Sequence, residues 1–126
     1  MTLEARVAAW MADSTITALV GTRAYPVSAA EQATQPYIVW QRVSTVPVED
    51  HGEGTTLEEI SIQVTCFAAS HAAAIAIRRA VRAVIDRNHS DGPAIYENAQ
   101  DLGVSDDRRS YAVSADFTIW HDDTTA

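Results

Sequence analysis

Ile60-Ser61-Ile62-Gln63-Val64-Thr65-Cys66 alternates apolar and polar side chains without a break. Successive side chains of a strand point to opposite faces, so this stretch is a strand with one buried face and one polar face. Ile60, Ile62, Val64 and Cys66 point one way. Glu59, Ser61, Gln63 and Thr65 point the other, with Phe67 as an aromatic exception at the end. A sheet that keeps polar residues on its second face is usually antiparallel, with helices on the apolar side only.

Downstream of this strand, Ser70 opens an Ala/Arg-rich helix that runs to about Arg87. Ile77, Ala80, Val81, Val84 and Ile85 form one flank. Arg78, Arg79, Arg82 and Asp86 occupy the opposite flank. The helix is expected to lie across Ile60, Ile62 and Val64. After a turn cluster at Asn88–Pro93, Ala94–Leu102 reads as a weaker strand, and Gly103–Arg109 as an acidic turn. Ser110–Trp120 alternates again and closes the chain as a strand.

Upstream, Leu3, Val7, Trp10 and Met11 recur at helical spacing. Ser14 is placed to cap a short second helix, Thr15–Val20, that stops at Gly21. Arg23–Pro26 is a brief strand ended by a proline, and Val27–Gln35 reads as a surface loop. Tyr37–Ser44 is the most β-prone stretch and pairs with the 60–66 strand as a long hairpin. The connection Pro47–Thr56, with Glu49, Asp50 and Glu53 and two glycines, has nothing to bury and is expected to be mobile in an isolated subunit. The order helix, strand, strand, strand, helix, strand, strand gives an α+β fold: a mainly antiparallel sheet with helices packed on one face.

The 126 residues suit one domain spanning 1–126, and an apolar fraction of 47% suits a globular one. No apolar run approaches the ~20 residues that cross a bilayer, so no membrane partner is expected. The N-terminus does not read as a signal sequence. A single cysteine, Cys66, excludes an internal disulfide and a multi-cysteine zinc site, and its strand face marks it as a core residue. These features suggest use inside a cell or in a particle assembled there. Seventeen acids against nine bases, all arginine, give a net charge of −8, which disfavours binding to nucleic acid.

No set of residues points to catalysis. His51 beside Glu49 and Asp50, and His121 before Asp122 and Asp123, are metal-ligand types. The first sits in a glycine-rich loop and the second near a fraying tail, so solvated surface groups are expected. His71 and His89 read as exposed. No phosphate-binding glycine pattern and no nucleophile elbow occur, and Cys66 lacks a neighbouring base. No metal or other cofactor is expected. Arg78, Arg79 and Arg82 read as a solvated helix face or as a docking stripe for the acidic loop of a neighbouring copy. Trp120 and Phe67, together with one side of the Trp40 strand, are expected on the uncovered sheet face. There they either cap the core or contact a protein partner.

The segments Ile16–Pro26, Pro36–Ser44, Ile62–Ala68, the Ala/Arg helix and Asp116–Trp120, in that order, resemble the tail-completion (tail-terminator, head–tail joining) proteins of long-tailed bacteriophages. The resemblance spans nearly the whole chain. It implies a non-catalytic α+β subunit that closes into a ring, usually of six copies, at the head-proximal end of the tail tube. Such a ring stops tube growth and meets the head connector, and genome DNA passes its lumen without specific binding. Virion localisation and assembly in the bacterial cytoplasm follow from the same resemblance. The family supplies no residue-level site motif. The interface candidates Trp40, Glu49, Asp50, Glu53, Phe67, Arg78, Arg79, Arg82 and Trp120 therefore rest on pattern alone. Two other readings are a tail-assembly chaperone or minor phage protein acting as monomer or dimer, and a metal-dependent hydrolase using His51 and His121.

Overall fold

A computed structural model describes residues 3–26, 36–47, 57–87, 94–104 and 110–122. Three helices, α1 (Leu3–Met11), α2 (Ser14–Val20) and α3 (His71–Arg87), accompany five strands. These are β1 (Ala24–Pro26), β2 (Tyr37–Pro47), β3 (Leu57–Ala68), β4 (Ala94–Val104) and β5 (Tyr111–Asp122). The sheet order is β1-β2-β3-β5-β4. All ladders are antiparallel except β1–β2, which is parallel. The fold is α+β.

The alternating stretch decides the architecture as expected. Ile60, Ile62, Val64, Cys66 and Ala68 are all buried, while Ser61, Gln63, Thr65 and Phe67 are only half-buried. Strand β5 lies antiparallel to β3 along its length, pairing Ile60 with Ile119, Ile62 with Phe117 and Cys66 with Val113. These pairs put Phe117, Ile119 and Val113 on the same buried face. Helix α3 leaves β3, crosses this face and delivers the chain to β4, beyond β5. It buries Ile77, Val81, Val84 and Ile85 against the sheet, at about 1.5–3 kcal/mol for each side chain. Helices α1 and α2 pack against α3 and close the same core with Leu3, Val7, Ile16 and Val20.

The caps follow from side-chain chemistry. Ser70 Oγ accepts from the Ala73 amide at 3.2 Å and opens α3 as expected. For α2 the cap is Asp13, not Ser14. Its carboxylate accepts from the Thr15 amide at 2.9 Å, leaving Ser14 as the first helical residue. These bonds favour the ionised form and hold the Asp13 carboxyl below its usual range. Helix α2 ends at Gly21, whose φ of 62° suits a residue without Cβ.

Two strands outrun their expected ends. Strand β2 continues through Ser44 to Pro47, because a bulge at Val43 resets its register against β3. Strand β4 continues through Gly103 to Val104 over a second irregularity at Leu102. The segments 27–35, 48–56, 88–93 and 105–109, expected to be loops and turns, lie outside the described residues.

Candidate functional site

With all helices on one side, the opposite face of the sheet is assembled from the polar register of each strand. It carries Val39 and Gln41 from β2, Ser61, Gln63 and Thr65 from β3, Asp116, Thr118 and Trp120 from β5, and Ile95 and Gln100 from β4. Gln41 Nε2 donates to Gln63 Oε1 at 2.9 Å across it. Small residues sink between larger ones. Ser114 lies between Thr65 and Gln100 and is fully buried, with no hydrogen-bond partner for its Oγ among the described residues.

At one end of this face three aromatic rings gather. Phe67 stacks on Tyr37 with ring centroids 4.7 Å apart and planes 14° from parallel, and Tyr25 leans on Tyr37 at 6.5 Å. The cross-strand pairing of Tyr37 with Phe67 produces the stack. Partial burial pushes the Tyr37 phenol above its ordinary pKa. Phe67 is thus on the uncovered face, as read from its register. Trp120 is there too, half-buried at the other end. Trp40 is not. It pairs with Val64, whose side chain faces the helices, and it packs against the core from that side.

The arginine flank of α3 divides. Arg78 is half-buried and donates from Nη1 to the Tyr96 hydroxyl at 2.9 Å. The Arg82 guanidinium lies 4.1 Å from the centre of the Tyr96 ring and reaches Asp86 at 3.5 Å. Both therefore fasten the helix to β4, which sequence periodicity could not place beside them. Arg79 and Arg82 remain exposed, Arg82 with its guanidinium laid along Tyr96. Glu49, Asp50, Glu53 and His51 lie outside the described residues.

One buried cation escaped the sequence reading. Arg6 of α1 is 1% exposed, with Nη1 donating to the Trp120 carbonyl at 3.1 Å and 3.3 Å from His121 Nδ1. Its guanidinium also lies over the Trp10 ring at 5.1 Å. Leu3, Arg6, Val7 and Trp10 share one helical flank, so spacing carried the signal and the charge hid it. His121 is correspondingly buried, not part of a fraying tail.

Cys66 is buried, and desolvation pushes its thiol up to about 12 despite the nearby Arg78. Among the described residues, no three of His, Cys, Asp and Glu gather as a metal site. No helix among them is long and apolar enough to cross a membrane. A cleft of about 410 Å³ beside α1 and α2 is lined by Ala8, Met11, Ala12, Thr17, Gly21, Thr22 and Ala24, without a titratable side chain.

The model of the family described as "Tail completion protein gp17" matches residues 4–122, which takes in every helix and strand just described but for Leu3 at the start of α1. The chain belongs to this tail completion family. Membership makes it a structural protein of a phage tail. A chain from the virion of a native gene transfer agent (GTA) particle has the same fold. It is 21% identical with a TM-score of 0.71, over 95% of this chain and 94% of that one. No curated protein sequence matches.

Proposed function

We propose that the chain acts as one domain over residues 1–126 and closes into a ring, of six copies, at the head-proximal end of a phage tail. The ring ends the tail tube and joins it to the head connector. It is placed in the virion after assembly in the bacterial cytoplasm. The observation that carries this reading is the tail completion match over residues 4–122.

The structure's contribution is a surface that suits assembly. Among the described residues one face of the open sheet carries no helix, and apolar side chains remain exposed on β2 and β4. A net charge of −8 per subunit gives an acidic ring, which would let DNA pass without gripping its phosphates. Of the pattern-derived contact residues, Arg79 and Arg82 are exposed and Trp120 and Phe67 are half-buried on the open face. The reading assigns the protein no catalysis and no cofactor.

Light scattering on the purified chain across concentrations should give the mass of six subunits. Electron micrographs of particles made without this gene product should show full heads beside unjoined or overlong tails. A monomer or dimer both in solution and in purified particles would favour an assembly chaperone instead, and normally joined virions would refute the tail-joining role.

A further inference from the structure

The two outer strands of the sheet are built differently, and their differences are complementary. Strand β1 covers only Ile38–Trp40 of β2, so residues 41–47 present a free edge among the described residues. Strand β4 presents the other edge, over its whole length among the described residues. Five of the six large hydrophobic side chains exposed among the described residues lie on these strands: Val43 and Val46 on β2, and Ile95, Leu102 and Val104 on β4. An apolar free edge invites pairing with another strand unless something blunts it.

We propose that copies of this chain join edge to edge, with β4 of one copy against residues 41–47 of β2 in the next, so that Ile95 meets Val43 and Glu97 meets Arg42. The inference rests on the ring reading and names the contact that would build the ring.

Three observations carry it. The first is height along the sheet. The register runs Ser44–Ser61–Thr118–Ile95 on one level and Arg42–Ile62–Phe117–Tyr96 on another. Ser44 and Ile95 therefore lie level on opposite edges, as do Arg42 and Tyr96, which sets the bulged Val43 within one residue of the level of Ile95 and the bulged Glu97 within one residue of that of Arg42. A rotation axis running along the strands brings each pair together to within one residue.

The second is direction. Strands β2 and β5 run one way, β3 and β4 the other. Sheets repeated in the same sense set β4 antiparallel to the neighbouring β2, which continues the alternation within each subunit.

The third is charge. Residues 37–47 contain Arg42 and no acid, whereas β4 contains Glu97 and Asp101 and no base. Pairing like edges about a two-fold axis sets acid against acid or arginine against arginine. Pairing unlike edges sets Arg42 against acid. A contact between two different patches is heterologous, the kind that generates rings. Arg42 already meets Glu4 at 3.5 Å, but that pair is exposed and weak, and leaves room for a second acid. Val43 and Glu97 both sit at bulges, so side chains carry more of the contact than a continuous ladder does.

Two independent arms test this on the full-length protein, with folding of each variant checked by circular dichroism. Mild oxidation of V43C/I95C should yield a covalent ladder up to the full ring, and neither V43C nor I95C alone should cross-link. Cys66 is buried and does not compete. In the other arm, R42E or E97R should weaken subunit association roughly tenfold or more, and R42E/E97R should recover most of it. If the wild type assembles but V43C/I95C gives no ladder, or I95C alone dimerises, this contact is overturned while the ring stands. If the wild type assembles neither in solution nor in particles, the ring reading fails, and this contact with it.

Discussion

Arg6 Nη1 stands 3.3 Å from His121 Nδ1, joining the first helix to the end of the last strand across 115 residues of sequence. A guanidinium only donates, so the contact is a hydrogen bond in the tautomer whose Nδ1 is free to accept. The same Nη1 satisfies the Trp120 carbonyl. Truncation by Arg6→Ala leaves buried acceptors without a donor and a void under Trp10. Its cost should be on the order of 3 kcal/mol. Arg6→Lys should recover only part of that, since an ammonium cannot reproduce the fork. Urea denaturation midpoints of the two variants check the ranking.

Tyr96 is held twice by α3: its hydroxyl accepts from Arg78, and its ring lies under Arg82 while meeting Phe117 edge-on at 5.6 Å. The two attachments separate by mutation. Tyr96→Phe removes only the hydroxyl and should cost about 1 kcal/mol. Tyr96→Ala also removes the cation–π contact and the packing on Phe117, and should cost about 3 kcal/mol. Amide exchange in β4 should speed up in the second variant far more than in the first.

How much of this was legible beforehand depended on which forces act locally. Strand β3 and the core flank of α3 announced themselves because alternation and helical spacing record which face is buried at each residue. The cap of α2 was misread because Asp13 and Ser14 are adjacent and equally suited, and only backbone geometry separates them. The contacts of Arg78 and Arg82 with Tyr96 are invisible to helical spacing because β4, the strand they grip, is separated from β3 by β5, an arrangement no local pattern encodes; Arg82 nonetheless stays exposed and pairs with Asp86, as a solvated face does. Trp40 was ambiguous for the same reason: its face is fixed by register against Val64. The acidic residues of the 48–56 segment lie outside the described residues. That Ser44 and Ile95 share one level on opposite edges was not visible at all, since it depends on counting through four strands.

Gly21 ends α2 with φ 62° and ψ −129°, a backbone region that strains residues with a Cβ. A Cβ there would meet Arg23 Nη1 at an ordinary 3.6 Å, so space is not the constraint. Gly21→Ala should therefore cost about 2 kcal/mol through the backbone alone. Gly21→Asn should cost less, since asparagine tolerates positive φ better. A thermal melt comparing the two isolates the backbone term from any loss of packing.

Cys66 turns burial into a pH dependence with a definite sign. Its thiol is raised from 9.0 to about 12 in the fold, chiefly because the thiolate would be stranded in the core, with Arg78 pulling weakly the other way. The unfolded chain therefore loses this proton first. The folded state's preference for the neutral thiol is fully present below pH 9 and is lost progressively as pH rises toward 12. Cys66→Val keeps an apolar side chain of similar size and removes the titration. The stability difference between wild type and Cys66→Val should hold constant from pH 6 to about 8.5, then turn against the wild type as the solution becomes alkaline. In the same range a thiol reagent should label wild type only at the rate of global unfolding. Fast labelling of folded protein at pH 8 would mean that Cys66 meets water and that the face under α3 is not closed.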